Sequence, residues 1–141
     1  MADEQAPEAA DPGGADVGPL TRRVFDFEAT MKELVPSIKT SADWGPLAEL
    51  VAVLEFTRVG TFLEVQNWEQ YTQMLTQWAS AVDSFETTLH RVAEVHGRVY
   101  FEIEERHYRG AAVNVVNSMT VFQFDDQGKI CRLDVYLQQS R

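Results

Sequence analysis

The chain has 141 residues, of which 45% are hydrophobic and 24% are charged, as expected for one compact domain with its own core. No apolar run approaches the roughly 18 residues of a membrane span, and a net charge of −10 provides no basic surface for phosphates. We therefore expect no membrane insertion and no nucleic-acid binding. The first residues lack the basic start and apolar segment of a secretory signal, so the expected location is cytoplasmic.

The segment 1–18 differs from the rest of the chain in composition. It is rich in Pro, Gly and Ala, has no periodicity, and contains no basic residue and five acidic ones: Asp3, Glu4, Glu8, Asp11 and Asp16. Such a segment cannot bury enough apolar surface to fold. We expect residues 1–18 to be a disordered acidic tail and residues 19–141 to form the domain. A role for the tail in binding a partner stays an alternative.

Three helices are predicted before residue 82. In the first, apolar residues recur at steps of four and three up to a break near Pro36: Leu20, Val24, Phe27, Met31 and Leu34. Asp43 resembles the N-cap of a second, short helix whose apolar residues are Leu47, Leu50, Val51 and Leu54. Asn67 and Gln70 form a capping-box pattern at the start of a third helix, which places Trp68, Tyr71, Leu75 and Trp78 on one face.

Strand patterns occupy the rest of the domain. Residues 55–66 indicate extended structure around Gly60. After Val82, four long apolar and polar alternations are separated by turn residues at His96-Gly97, Gly110 and Asp125–Gly128. Helices followed by such a meander predict the α+β class, as a cystatin-like α+β roll. We expect a cone-shaped, curved antiparallel sheet, covered by three N-terminal helices and enclosing a tapered interior.

The order of these elements and four local strings resemble one known family. The strings are Ala42-Asp43-Trp44-x-x-Leu47-x-x-Leu50, the Val59-Gly60 turn, Trp68-x-x-Tyr71, and Phe122-x-Phe124-Asp125-x-x-Gly128-Lys129-Ile130. Together they are similar to nuclear transport factor 2-like and SnoaL-like proteins over about residues 20–138. The resemblance implies a cone with an internal pocket. It leaves the activity open, because the superfold includes ketosteroid isomerases, limonene-type epoxide hydrolases, polyketide cyclases and non-catalytic transport factors.

Two catalytic constellations of that superfold are absent. Alignment on the shared strings places Val35, Thr57 and Thr120 where ketosteroid isomerases have a tyrosine and two aspartates. It places Val135 at a catalytic aspartate of the limonene-type epoxide hydrolases, with Asp134 one residue away and on the opposite face. Neither chemistry is expected from these positions.

The same alignments predict a pocket lined by aromatic and apolar side chains with a few hydroxyl groups, which is typical of a small-molecule site. Its predicted lining is Trp68, Tyr71, Trp78, Thr57, Arg58, Ser118, Thr120, Phe122, Leu133, Val135 and Leu137. An arginine there could bind a carboxylate or stabilise an enolate. The alternatives are that the tryptophans simply fill the interior and that Arg58 is a solvated charge at a rim.

Three residues are candidates for acid–base catalysis. Alternation places Glu105 on the face of Val99, Phe101 and Ile103, where burial would raise its pKa. Tyr71 and His90 complete the set, with His90 as a proton shuttle. Which face of residues 99–109 points inward stays open, and Glu105 at a solvated strand end and His90 on the surface are the alternatives.

Cysteine and histidine spacing gives no metal site. Cys131 is the only cysteine, so a disulfide within the chain and a multi-cysteine zinc site are excluded, and a packing role in a strand is expected. The three histidines lack metal-ligand spacing, and no phosphate loop or dinucleotide fingerprint occurs. We therefore expect no metal and no cofactor.

The opposite face of the third long strand carries Val113, Val115, Asn117, Met119 and Val121, and its three valines and methionine are too apolar to leave in water. We expect a homodimer through this convex sheet face. The functional hypothesis is a protein that binds a small hydrophobic molecule and acts as a cofactor-independent cyclase, dehydratase, isomerase or hydrolase. The alternative is a non-catalytic ligand-binding or dimerisation module. The ligand and the type of reaction stay open.

Overall fold

Three helices precede four long strands in the structure, a computed structural model that describes residues 17–140. The helices are α1 (Pro19–Leu34), α2 (Gly45–Ala48) and α3 (Trp68–Ala81). Two short strands, β1 (Thr57–Val59) and β2 (Val65–Gln66), lie between α2 and α3. The long strands are β3 (Ser84–Val95), β4 (Arg98–Arg109), β5 (Ala112–Phe124) and β6 (Ile130–Gln139). The predicted α+β class with three N-terminal helices is confirmed.

Most of the expected acidic tail lies outside the described residues, which begin at residue 17. Of its last two residues, Val17 packs against the core and Gly18 precedes α1 as its N-cap. The apolar stripe of α1 is buried as predicted, through Val24, Phe27 and Met31. The helix ends before Pro36, and a single 3-10 turn, Val35–Ser37, follows it.

The second helix is shorter than predicted. Thr40, not Asp43, is the N-cap of a 3-10 turn, and the Asp43 carboxylate accepts hydrogen bonds from the backbone N–H groups of Lys39 and Thr40 at 2.8 and 3.0 Å. Helix α2 then lasts for four residues. It cannot continue because Val51 forms a parallel bridge with Ile130, and the Ala52 N–H donates to the Ile130 carbonyl at 2.9 Å.

Helix α3 starts at the predicted capping box. The Gln70 N–H donates to Asn67 Oδ1 and the Asn67 N–H donates to Gln70 Oε1, both at 2.9 Å. Two N–H groups that have no partner inside the helix are satisfied in this way. The cap therefore sets where α3 begins and which of its side chains face the sheet.

The six strands form one sheet in the order β2-β1-β6-β5-β4-β3. The four long strands pair antiparallel in sequence, which confirms the predicted meander. The whole sheet is mixed rather than antiparallel, because β1 pairs in parallel with β6. Parallel pairing is possible here because helices and loops, not a hairpin, separate these two strands along the chain.

The narrow end of the cone is filled by aromatic side chains. Phe122 contacts Phe27 and Phe101 edge to face, with ring centroids 5.7 and 6.0 Å apart, and Phe25 packs on Phe101 at 6.3 Å. Helix α1 thus seals one end of the concave sheet face. None of the helices in residues 17–140 is both long and apolar enough to cross a membrane.

A β-bulge changes the predicted face of β3. The register shifts between Leu89 and Arg91, so that Leu89 pairs with Ile103 and Val92 with Phe101. Since Ile103 and Phe101 both face inward, Leu89 and Val92 do too, and His90 is the extra residue. Simple alternation from residue 84 would place His90 and Val92 on one face, but the inserted residue reverses it so that Val92 faces inward and His90 does not.

Removal of the α3 cap tests its contribution to stability. Asn67→Ala leaves the Gln70 N–H without its acceptor, and we expect the free energy of unfolding to fall by about 1 kcal/mol. Asn67→Ser is the matched control, since serine caps nearly as well and should lose only a few tenths. Urea unfolding followed by circular dichroism measures both variants. Equal stability of Asn67→Ala and Asn67→Ser would contradict this role.

Candidate functional site

A central cavity of about 390 Å³ lies between the concave sheet face and helices α1 and α3. Most of the predicted lining meets there: Arg58, Tyr71, Trp78, Ser118, Thr120, Phe122, Leu133, Val135 and Leu137. The register explains why, because Phe101, Thr120 and Val135 are paired across β4, β5 and β6 and therefore share one face. The predicted parity of β5 and β6 agrees with this placement.

Two of the predicted lining residues lie elsewhere. Thr57 is not part of the lining, and in β1 it is its neighbour Arg58 that is buried and borders the cavity. Trp68 packs edge-on against Phe56 and Tyr71, with ring centroids at 5.2 and 5.8 Å, and fills space behind the cavity wall. For Trp68, therefore, the structure agrees with the alternative in which a tryptophan fills the interior.

Glu105 lines the cavity and is held by two side chains. Its carboxylate lies 2.8 Å from Nε2 of His107, and the Ser118 hydroxyl donates to it at 3.5 Å. The side chains of Glu105 and His107 are 27% and 17% exposed, so neither is a freely solvated strand-end charge. Trp78 and Phe85 pack edge-on against the His107 ring at 5.5 and 6.4 Å. These two aromatic side chains thus hold the His107 ring in its orientation beside Glu105.

Glu28 of α1 is a second carboxyl group on the cavity. Burial raises the pKa of this carboxyl from its usual 4.5 to about 8, the negative charge of Glu105 adds to the rise, and Lys32 opposes it. Part of Glu28 is accessible to solvent, but within residues 17–140 its carboxyl makes no hydrogen bond and no ion pair. A carboxyl group with this pKa is mostly protonated at neutral pH and can donate a hydrogen bond.

Tyr71 brings a second polar group without a hydrogen-bond partner in the described residues to the cavity wall. It is only 5% exposed, and its hydroxyl has no hydrogen-bond partner in the described part of the chain. Burial raises the pKa of this hydroxyl above its ordinary value, against the effect of Arg58 and with that of Glu28 and Glu105. Buried tyrosine hydroxyls normally find a partner. Tyr71 is one of the residues that line the cavity.

Arg58 borders the same cavity from β1. Its guanidinium donates through Nη1 to Gln66 Oε1 at 2.9 Å, lies 3.7 Å from the Glu64 carboxylate, and sits 5.6 Å from the centre of the Tyr71 ring. The side chain is 10% exposed, whereas that of Glu64 is 45% exposed. Within residues 17–140, this nearly buried cation therefore has only one short hydrogen bond and one half-exposed counter-ion.

His90 does not reach the cavity. As the bulged residue of β3 it lies on the outer sheet face, where its ring Nδ1 is 3.7 Å from Glu102. Glu102 is held more closely by Arg91, at 2.7 Å. The expectation that His90 acts as a proton shuttle in the pocket is therefore corrected, and His107 takes the place beside Glu105.

Several cavity residues were not predicted, although the sequence carried signals for two of them. His107 follows Glu105 by two positions, so strand alternation places both on one face. Glu28 is four residues after Val24 and three before Met31, which puts it on the edge of the buried stripe of α1. Glu64, Met74 and Phe85 also line the cavity. Nothing in the local pattern indicated Glu64, because it comes from a loop.

A second depression adjoins the central cavity. It has a volume of about 320 Å³ and shares Trp78 and His107 with the cavity lining, beside Arg109 and Asn114. Those two shared side chains therefore lie between the two spaces. Across residues 17–140, no three His, Cys, Asp or Glu side chains cluster in a way that could hold a metal ion.

Solved structures of the same architecture are similar to this chain over most of its length. A protein assigned as a SnoaL-like polyketide cyclase in Shewanella putrefaciens matches 97% of this chain and 91% of its own, with a TM-score of 0.73 and 8% identity. An NTF2-like protein from Anabaena variabilis gives 0.70 over 90% and 97% of the two chains at 14% identity. An LEH-like epoxide hydrolase from M. tuberculosis gives 0.65 over 84% and 82% at 17% identity.

These identities are low, and the likeness lies in the fold. No protein-family model and no curated protein sequence matches the chain. The agreement with several SnoaL-like and NTF2-like structures nevertheless confirms, for the fold, the resemblance that the sequence strings indicated. The chain has the nuclear transport factor 2-like fold of the SnoaL-like proteins.

Proposed function

We propose that the chain binds a small, largely hydrophobic molecule in the central cavity and catalyses a proton transfer in that molecule. Glu105 is the side chain that takes up the proton. The observation that carries this proposal is that Glu28, Tyr71 and Glu105 line one cavity, whose remaining lining is mostly apolar. Buried polar groups without partners cost stability, so a fold that keeps them has a use for them. A ligand oxygen that accepts hydrogen bonds from the Glu28 carboxyl and the Tyr71 hydroxyl provides that use.

The side chains suit removal of a proton next to a carbonyl group. An ionised Glu105 accepts the proton from the substrate, and Nε2–H of His107 donates to Glu105 and orients it. The Tyr71 hydroxyl and the neutral Glu28 carboxyl are hydrogen-bond donors that can stabilise the negative charge which then develops on the substrate oxygen. Such a step occurs in cyclisation, dehydration and isomerisation reactions.

The names of similar structures support a small-molecule site without identifying its ligand. One neighbour is called a polyketide cyclase, another an epoxide hydrolase, and a third, with a ketosteroid isomerase-like fold, is a complex with trimethylamine. The present chain lacks the catalytic residues of the isomerases and limonene-type hydrolases at the aligned positions, where it has Val35, Thr57, Thr120 and Val135. Any proton transfer here therefore uses different positions.

That loss of catalytic residues favours a second candidate, a module that binds a ligand without converting it. The two candidates share the cavity and differ in turnover.

We also propose that the chain is a homodimer through the outer sheet face. On that face Val113 is 48% and Tyr136 60% exposed, beside the partly exposed Val115, Met119 and Val121 of β5. Pairing of two such faces would remove them from water.

Binding is tested by titrating small terpenoids, steroids and polyketide-like aromatics while following tryptophan fluorescence. Trp78 lines the cavity, whereas Trp44 and Trp68 do not. We expect a ligand to change the emission of the wild type and to leave that of Trp78→Phe nearly unchanged, with similar affinity by calorimetry. If no compound of any class binds, the cavity is not a ligand site.

Turnover is tested with Glu105→Gln, using Glu104→Gln as the matched control. Glu104 is the neighbouring residue, but it lies on the opposite face in an ion pair with Arg106. With a ligand that is converted, we expect Glu105→Gln to lower kcat by about 100-fold or more and to leave binding largely intact. Glu104→Gln should retain activity. Full activity of Glu105→Gln would exclude it as proton carrier, and binding without product would favour the non-catalytic candidate.

The protonated state of Glu28 predicts a pH dependence of stability. Between its usual pKa of 4.5 and its folded pKa of about 8, the folded state binds one more proton than the unfolded state, so the stability that this group contributes is lost as the pH rises through that window. Glu28→Gln removes this ionisable group. We therefore expect the free energy of unfolding of the variant, relative to the wild type, to be higher at pH 8.5 than at pH 5, by about 1–3 kcal/mol after allowance for solvent access.

Urea unfolding at the two pH values measures this effect. Glu33→Gln, an exposed glutamate on the same helix, is the control for removing one charge from α1. Equal effects of Glu28→Gln and Glu33→Gln at both pH values would show that the Glu28 carboxyl is not protonated in the folded protein.

Dimerisation is tested by multi-angle light scattering at micromolar concentration. The chain mass is 16.0 kDa, and we expect a particle of twice that mass. Val113→Asp puts a charge into the proposed interface at an exposed position, so that it should yield the monomer without unfolding it. A wild type that is monomeric at this concentration would contradict the dimer.

A further inference from the structure

The Arg58 end of the central cavity contains hydrogen-bond donors that lack acceptors. A guanidinium has five N–H donors, and in the described residues one of those of Arg58 makes a hydrogen bond, to Gln66 at 2.9 Å. The Tyr71 ring lies beside it, with the ring centre 5.6 Å from the guanidinium carbon. The side chain of Arg58 is nine-tenths buried, and burying a charge is costly unless it is paired and hydrogen-bonded. The Arg58 donors therefore need an anion, and among the described residues the only carboxylate within 4 Å of them is that of Glu64, at 3.7 Å.

The carboxylate nearest to Arg58 meets this need only in part. Glu64 lies 3.7 Å away, beyond hydrogen-bond distance, and its side chain is 45% exposed. The same carboxylate accepts the backbone N–H of Phe62 at 2.9 Å within the β1–β2 loop. It folds back over Gly60, where an added Cβ would collide with it. The Glu64 carboxylate is thus held mainly by its hydrogen bond within the β1–β2 loop. It is a weak counter-ion of Arg58 that a ligand anion can replace.

The strand register separates this end from the proton-transfer end. Arg58 pairs with Leu133, which pairs with Phe122, whereas Glu105 pairs with Val116. The two rows are therefore six residues apart along β5, or about 20 Å of strand before the side chains reach toward each other. Apolar side chains of β6 line the cavity between the two ends.

The geometry points to a substrate with an apolar body and an acidic group, in which the carboxylate or a comparable anion binds Arg58 in place of Glu64. Arginine suits this role because its planar N–H groups can hold both oxygens of a carboxylate at once. This inference rests on the proposed function, which it deepens by naming the substrate class.

Three compounds with one carbon skeleton test the anchor: phenylbutanoic acid, phenylbutanamide and phenylbutylamine. Each is titrated into the full chain by calorimetry near pH 7, where the acid is an anion and the amine a cation. We expect the acid to bind about ten- to a hundredfold more tightly than the amide, since hydrogen bonds between charged groups are the stronger ones. The amine should bind more weakly than the amide.

Two variants locate the effect. Glu64→Gln keeps an acceptor oxygen for the Phe62 N–H but removes the competing charge, so the acid should bind up to about fivefold more tightly and the amide as before. Glu69→Gln, an exposed glutamate at the start of α3, is the control for the change in net charge. Arg58→Gln should make the affinities of acid and amide equal. If that variant does not fold, the wild-type ranking and Glu64→Gln still decide.

The failure of this inference differs from the failure of the proposed function. An amide or amine that binds the wild type as tightly as the acid would overturn the Arg58 anchor and leave the cavity as a ligand site. Equal acid affinities in the wild type and Glu64→Gln would overturn the exchange with Glu64. Absence of binding by all three compounds, with none from the wider panel, would contradict both the anchor and the ligand site.

Discussion

Pairing of β4 with β5 and of β5 with β6 decides which side chains the helices cover. Because alternate residues of a strand point to opposite faces, the register that joins Glu105 to Val116 and Ser118 to Leu137 places all four on the same face. Helix α1 closes the narrow end through Phe27, but the helices do not fill the wider part. The cavity is thus a consequence of a long, curved sheet under short helices.

Polar groups in that cavity depart from the usual rule that buried polar groups in protein interiors are hydrogen-bonded. Glu28, Tyr71 and Arg58 all lose water on folding, and the protein supplies few partners in exchange. Each unpaired group costs about 1–3 kcal/mol, which an ordinary packing role would not offset. Isosteric apolar residues would give a more stable core. Their arrangement is therefore better explained by a ligand than by the stability of the fold.

Much of the fold follows from patterns of short range, and the site follows from them only in part. The stripe of α1, the Asn67 cap and the alternation of β5 and β6 are local signals, and they predicted the class, the order of elements and most of the cavity wall. The β-bulge at His90 has no such signal, since one inserted residue moves a whole strand face. The same holds for Glu64, which reaches Arg58 only through the geometry of a loop.

Function depends most on whether a carboxyl group is held neutral inside the cavity, and a carboxyl-carbon NMR titration measures this directly. The signal of Glu28 is assigned by its loss in Glu28→Gln. The structure predicts that this one glutamate titrates near pH 8, as burial and the charge of Glu105 require. Titration of Glu28 near its usual value of 4.5 would mean that the cavity is wet and open, and would contradict the proposed site.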